Sequence, residues 1–406
     1  MNLYEQDFVP VILGADITAY SLVRSFHEKY NVKSLVVSQA RCGYIANSDI
    51  LENRVFEGLE KKEVLIERLT EIGKEFEGKT KLIVMGCGDW YVRALIESKK
   101  ELEPYFIVPY IDEELLNRIV KKDKFYEICD ELNINHPKTY VYNCGEENSL
   151  DFDFRYPIIA KTADSAMYHY AKFEGKKKVF LLDSLEELKT VLKNLEGSSY
   201  NYKFLIQEYI EGDDDHMRVL TCYSDKNGKV RFASFGQTLL EDHTPTALGN
   251  PVAIINDVNE EVVKQATRFL EHIGYVGYSN FDLKYNDKDG TYNFFEINVR
   301  LGRSNFYVTG SGFNALMWIV DEEIYGKTHE YTVADKEHLF TVVPKGVILK
   351  YVKNKELKQK VKRLYREKKV SYPLFYKADK NLKHKFYAFA ALMNQYRKFA
   401  KHFPKS

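Results

Sequence analysis

Two short runs past the middle of the chain alternate apolar and polar residues. One is Phe281-Asp282-Leu283-Lys284, the other Phe295-Glu296-Ile297-Asn298-Val299-Arg300. A period of two predicts strands, and the turn formers at 286–290 predict a hairpin between them. With 287–291 as the loop, Asp282 stands opposite Glu296. Side chains alternate across a strand, so Glu296, Asn298 and Arg300 share a face. Two carboxylates, an amide oxygen and a guanidinium then make one patch, a donor set that suits Mg²⁺ and phosphate. The polar face of an ordinary hairpin alternates in the same way. A calcium loop fits poorly, because Tyr285 stands where the first carboxylate belongs and the flanks read as strands rather than helices.

The rest of the chain reads as mixed α/β. Residues 8–13 are an apolar run ending at Gly14. A helical pattern with Tyr20, Leu22, Val23 and Phe26 follows, then a strand at 34–37. Strand, helix, strand predicts a parallel unit. Residues 82–85 repeat the pattern and end at Gly86-Cys87-Gly88-Asp89. Neither glycine turn completes a dinucleotide fingerprint. Asp16, Arg24, Arg41 and Asp89 fall near the carboxyl ends of these strands, where open parallel sheets bind ligands. Further on, a helix opens around Lys124 and runs to about Leu132. Residues 156–161 are an apolar strand with Lys161 at its end, an ammonium that needs either an anionic partner or a route to solvent. Residues 204–212 are a strand running into a glycine turn. Arg218 lies on the next strand, and 260–273 form an amphipathic helix stopped by Gly274.

Taken in order, FDLKY, FEINVR and these lysine and glycine motifs resemble the ATP-grasp carboxylate–amine ligases, most of all the D-aspartate ligases of peptidoglycan cross-bridges. The resemblance covers roughly residues 5–330. It implies a Rossmann-like first domain (1–117), an ATP-grasp first lobe (118–206) and a second lobe with the metal site (207–330); residues 331–406 lie beyond it and read, from their charge, as a basic C-terminal segment. It also implies ATP and two Mg²⁺ ions, the metal on Asp282, Glu296 and Asn298. Lys124 and Lys161 would touch phosphate. Glu208 and the backbone of Tyr209 and Ile210 would meet adenine. Asp215, among Asp213, Asp214 and Asp215, would take the ribose. Arg300, Arg303 and Arg218 would offset charge on the reacting groups. The substrates implied are an amino-acid carboxylate and an amine acceptor, D-aspartate and a peptidoglycan precursor before others. A small-dipeptide ligase and a non-catalytic ATP-binding scaffold are the alternatives. A homodimer is compatible with the resemblance. One departure is the stretch 162–170, which lacks the glycines of the usual phosphate flap and offers Ser165 instead.

Composition changes this picture in two places. Five cysteines, far apart and without a CxxC, read as reduced cytoplasmic thiols. No secretory leader is visible, and no run approaches the ~20 apolar residues of a membrane span. The net charge is zero, yet residues 331–406 hold 20 Lys+Arg against 5 Asp+Glu, leaving 39 against 54 in the remainder. In that basic segment Phe386, Phe389, Leu392, Met393, Tyr396, Phe399 and Phe403 recur at helical spacing. The expectation is a helix that lays this face on the acidic body, or else on an anionic membrane. Nucleic acid is not expected, since the body is acidic and no binding motif is present.

Overall fold

The computed structural model describes residues 2–404, apart from the side chains of Ser165, Ala166 and His169. The chain divides into two compact units. One holds residues 1–113, 214–280 and 298–406; the other holds 114–213 and 281–297.

In the first unit β1 (Phe8–Leu13), β2 (Ser34–Ser38), β3 (Leu51–Val55), β4 (Lys81–Gly86) and β5 (Phe106–Ile107) form a sheet of order β3-β2-β1-β4-β5, parallel throughout. Every residue of β1 is buried, as a central strand covered on both faces requires. The helix Ile17–Tyr30 begins where the Asp16 carboxylate accepts from the Thr18 and Ala19 amides, the usual capping role of a short acidic side chain. Gly14 has φ +129°, and a Cβ there would lie 2.9 Å from Cys87 Cβ. Only glycine lets the end of β1 run this close to the end of β4.

In the second unit β6 (Thr139–Asn143), β7 (Ile158–Thr162), β8 (Val179–Leu182) and β9 (Lys203–Glu208) form an antiparallel sheet of order β6-β9-β7-β8. The helix Leu185–Glu196 buries Leu188, Leu192 and Leu195 with Phe180 and Phe204. The glycine-poor stretch after Thr162 begins with the short helix Ser165–Tyr170. The Ser165 side chain, a candidate for admitting phosphate, lies outside the described residues.

The first unit continues with β10 (Met217–Ser224), β11 (Val230–Asp242) and β12 (Asn250–Asp257), antiparallel in that order. The expected hairpin is present as β13 (Gly277–Asn286) and β14 (Thr291–Asn298), closed by Gly290 N donating to Asn286 O. Its residues 281–297 belong to the second unit. The strand stops at Asn298, so Arg300 does not continue the face of Glu296 and Asn298 as the alternation suggested. Beyond it, β15 (Thr332–Val333) joins β11, while β16 (Leu339–Thr341) and β17 (Val370–Ser371) extend the edge at β12.

The basic segment ends in the helix Leu382–His402. It belongs to the first unit and is pinned there by Asp379, which is fully buried. The Asp379 carboxylate accepts from Tyr20 OH at 3.0 Å, Ser48 Oγ at 2.6 Å and the Asp49 amide at 3.0 Å. The face that docks overlaps the one expected at Phe399, with Leu392 and Phe403 half-buried, and departs from it elsewhere. His384, Ala388, Gln395 and Phe399 are buried, whereas Phe386, Phe389, Met393 and Tyr396 are exposed. No helix among the described residues is long and apolar enough to cross a membrane.

Candidate functional site

In the second unit the helix Lys122–Glu131 buries Phe125, Tyr126 and Cys129. Lys122 lies three and four residues before the first two, so it shares their face. Its Nζ lies 2.7 Å from Glu296 Oε2. The Lys161 ammonium approaches the same helix, 3.4 Å from Tyr126 OH, and sits over the Phe295 ring with Nζ 5.5 Å from its centroid. Burial first, and then the charge of Lys122, push Lys161 down to about 7. The Lys122 ammonium, followed by that of Lys161, holds the Glu296 carboxyl well below the usual carboxylate range. Two ammonium groups and one carboxylate thus meet at this place. A polyanion such as a triphosphate suits two ammonium groups placed side by side.

The second unit also holds other residues expected to meet nucleotide. Lys124 points away, its Nζ on both oxygens of Glu127 at 2.9 and 2.8 Å on the outer side of the helix. Lys122, which the sequence reading passed over, is the lysine that joins Lys161. Its signal was the helical period that places it with Phe125 and Tyr126. Glu208 ends β9, and its carboxylate accepts from the Lys138 amide at 2.9 Å. The Tyr209 ring lies under Lys284 Nζ, 5.6 Å from the centroid, and Lys284 also donates to Gly212 O at 3.0 Å. Ile210 is buried. Asp282 lies on β13. Among the described residues no three His, Cys, Asp or Glu side chains cluster to hold a metal. Mg²⁺ does not require such a cluster, since one or two carboxylates with substrate phosphates serve it.

The first unit holds the remaining residues. Asn298 Nδ2 donates to Asn280 O at 3.5 Å. Arg218 is buried and donates to the Asp215 and Met217 carbonyls at 2.7 and 3.0 Å. Of the three consecutive aspartates, Asp214 is committed to the Glu241 amide and to His243 Nε2, both at 2.9 Å. That contact, by hydrogen bond and then charge, raises the pKa of His243. Asp215 Oδ1 lies 2.9 Å from His216. Arg300 donates to Asp89 Oδ1 at 2.6 Å and Arg303 to Asp16 Oδ2 at 3.4 Å. These two aspartates follow β4 and β1, at the carboxyl ends of neighbouring parallel strands. Two arginines and a glycine-containing loop at that place suit a carboxylate or an acyl phosphate. Arg24, also expected near these ends, instead donates to the Tyr372, Pro373 and Phe375 carbonyls.

Comparison with known proteins agrees with this assortment. Residues 122–311 match the family described as "Carbamoyl-phosphate synthase L chain, ATP binding domain". A D-aspartate ligase of Enterococcus faecium is 36% identical over 397 residues, covering 94% of both chains. Among solved structures, an L-amino acid ligase from Bacillus licheniformis aligns with TM-score 0.55 at 16% identity, over 79% of this chain and 74% of its own. An ADP complex of N5-carboxyaminoimidazole ribonucleotide synthetase aligns with TM-score 0.56 at 11% identity, over 80% and 79%.

Proposed function

The chain belongs to the ATP-grasp carboxylate–amine ligases, and from that premise we propose that it joins the β-carboxylate of D-aspartate to the lysine side-chain amine of a peptidoglycan precursor. A ligase of this family passes the γ-phosphate of ATP to a carboxylate, which releases ADP and leaves an acyl phosphate. An amine then displaces the phosphate to give an amide. A carboxylate is a poor electrophile until it is phosphorylated, and its approach to a triphosphate brings like charges together. Catalysis is therefore mainly positioning and charge compensation.

Lys161, with Lys122, faces the phosphates in this reading, while Arg300 and Arg303 face the reacting carboxylate. Glu208, Tyr209 and Ile210 stand at the nucleotide base and Asp215 at the ribose. Lys124, paired with Glu127, takes no part. Arg218 acts by holding the Asp215 carbonyl. Glu296 is the residue best suited to Mg²⁺, because its carboxylate already holds a cation, the Lys122 ammonium, that a metal would displace. Asp282 and Asn298 supply further oxygens. Bound there, Mg²⁺ would lower the charge barrier to phosphoryl transfer.

The observation that carries the substrate assignment is the 36% identity across 94% of both chains to a D-aspartate ligase. Five free, separated cysteines support a cytoplasmic enzyme. The exposed aromatic and basic face of the C-terminal helix supports a contact with anionic lipid, where such precursors are assembled. The test is phosphate release from ATP with each D- and L-amino acid in turn, in the presence of a lysine-containing precursor peptide. D-aspartate is expected to stand alone, with a product one aspartyl residue heavier. Preference for another amino acid, or a dipeptide product, would replace the assignment.

A further inference from the structure

The first unit holds a cavity of about 180 Å³ whose lining includes none of the residues assigned a role above. The loop after β5, the end of β10, the start of β13 and the helix Met317–Glu323 wall it. Drug-sized ligands need roughly 300–1,000 Å³, whereas a cavity of roughly 150 Å³ holds benzene. The occupant that fits here is therefore small. The lining is about half polar and half apolar, with Val276 and Ile319 among its apolar members.

The polar members carry both signs of charge. Glu322 is engaged: Oε2 accepts from Tyr223 OH at 2.5 Å and Oε1 from the Lys226 amide at 3.1 Å. Among the described residues, nothing donates to the carboxylate of Glu323 beside it, and the Lys226 ammonium meets no acceptor. Lys99 Nζ donates to the Tyr110 carbonyl, a neutral group, at 2.7 Å. Ser224 is 1% exposed, and its hydroxyl has no hydrogen-bond partner. A buried hydroxyl left unpaired carries a desolvation cost and marks a missing partner. Two carboxylates, two ammonium groups and a hydroxyl thus line one small space. A phosphate would face Glu322 and Glu323, and a simple cation would face Lys99 and Lys226. A molecule that carries one charge of each sign suits the set.

The cavity also touches the loop that leads to Arg300. Tyr110 forms part of its wall, and the Tyr110 hydroxyl accepts from the Gly86 amide at 2.9 Å. Gly86 ends β4 and opens the turn to Asp89, the partner of Arg300. We infer that the cavity is a second site, for a free zwitterionic α-amino acid with a short side chain, and that its occupant braces this turn through Tyr110. Glu323 accepts from the ammonium group, Lys226 and the Ser224 hydroxyl hold the carboxylate, and the side chain lies toward Val276 and Ile319. The binding site stands without the ligase reading; only its effect on turnover rests on that reading.

Equilibrium dialysis of labelled alanine of either hand against the full chain tests the site, with D-aspartate and a non-hydrolysable ATP analogue in excess. Saturable binding of one equivalent is expected. Glu323→Gln and Lys226→Met should each weaken it by about tenfold or more, while Lys229→Met, outside the cavity, leaves it unchanged. No saturable binding of either hand, or equal binding by the two cavity variants, would overturn the site. The effect on turnover is read from D-aspartate-dependent phosphate release. Bound alanine is expected to lower KM for D-aspartate about fivefold or more with kcat unchanged, and to lose that effect in Glu323→Gln, whose basal release is intact. A KM that alanine leaves alone or raises would overturn the bracing role. Absence of any D-aspartate-dependent release by the unaltered chain would sink the ligase reading instead, and the dialysis result would still decide the cavity.

Discussion

Lys161 shows how far a single residue can be read. A lysine closing an apolar strand signals an ammonium that needs a reason, and the structure gives it Glu296 and Lys122 as charged neighbours, with Tyr126 and Phe295 beside it. Lys122 escaped notice because the run Lys121-Lys122-Asp123-Lys124 offers three lysines, and only the buried face of the folded helix chooses among them. The place of Glu296 on a strand was legible from alternation. Glu296→Gln should cut turnover by about 10²-fold or more, the scale of losing a transition-state electrostatic contact, with the fold intact by circular dichroism. Near-normal turnover in that variant would remove Glu296 from the reaction. The pKa of Lys161 adds a pH signature. It is lowered in the fold, to about 7 from 10.5, so the unfolded chain binds more protons between these values. Stability therefore gains from Lys161 as pH rises through that window, and loses as pH falls toward 7. Phosphate beside Lys161 would favour its charged form. Nucleotide binding at pH 8 should then take up protons, visible as a dependence of the calorimetric heat on buffer ionisation, and Lys161→Met should abolish the uptake. Buffer-independent heats in the unaltered chain would separate Lys161 from the phosphates.

At the scale of elements, the periodicities that were strong in sequence appear in the fold. The helix Glu260–His272 ends beside Gly274 and the hairpin turns at 286–290. The strands β15, β16 and β17 were not legible, because two or three residues cannot establish a period and their pairing depends on edges built far away in sequence. The C-terminal helix was legible as a helix but not in its rotation. Aromatic size was a partial guide: of the expected face Phe399 docks while Phe386 and Phe389 stay exposed, and the rotation is set by Ala388, by His384 stacked on Tyr20 at 4.6 Å, and by Asp379 just before the helix. Asp379→Ala should destabilise the chain by roughly 2–4 kcal/mol in denaturant titration, because it strands Tyr20, Ser48 and Asp49 donors in a dry place. The aromatic face left outside carries Lys383, Lys385, Arg397 and Lys401 near it, all exposed. Each basic residue near an anionic surface contributes about 1 kcal/mol. Sedimentation with anionic vesicles at low salt should retain the chain, and Phe386→Ser with Phe389→Ser should release it. Equal behaviour of the two proteins would exclude a lipid role for this face.

Across the whole molecule, charge is arranged by function more than by balance. The segment 331–406 has a net charge of +15 and the remainder −15, yet the cationic groups near the candidate chemistry come mostly from the acidic part. Lys122 and Lys161 share the Glu296 carboxylate, Arg300 meets Asp89 and Arg303 meets Asp16. That pattern suits a ligase that must compensate transient phosphate charge without binding polyanions indiscriminately. It also leaves an account of catalysis that needs neither a serine nor a cysteine nucleophile, since phosphate itself activates the carboxylate. The most direct measurement is to incubate the full chain with ATP, Mg²⁺, D-aspartate and hydroxylamine, with no amine acceptor present. Formation of ADP together with an aspartyl hydroxamate is the predicted result. Release of AMP and pyrophosphate, or no hydroxamate until the acceptor is added, would contradict the acyl-phosphate route.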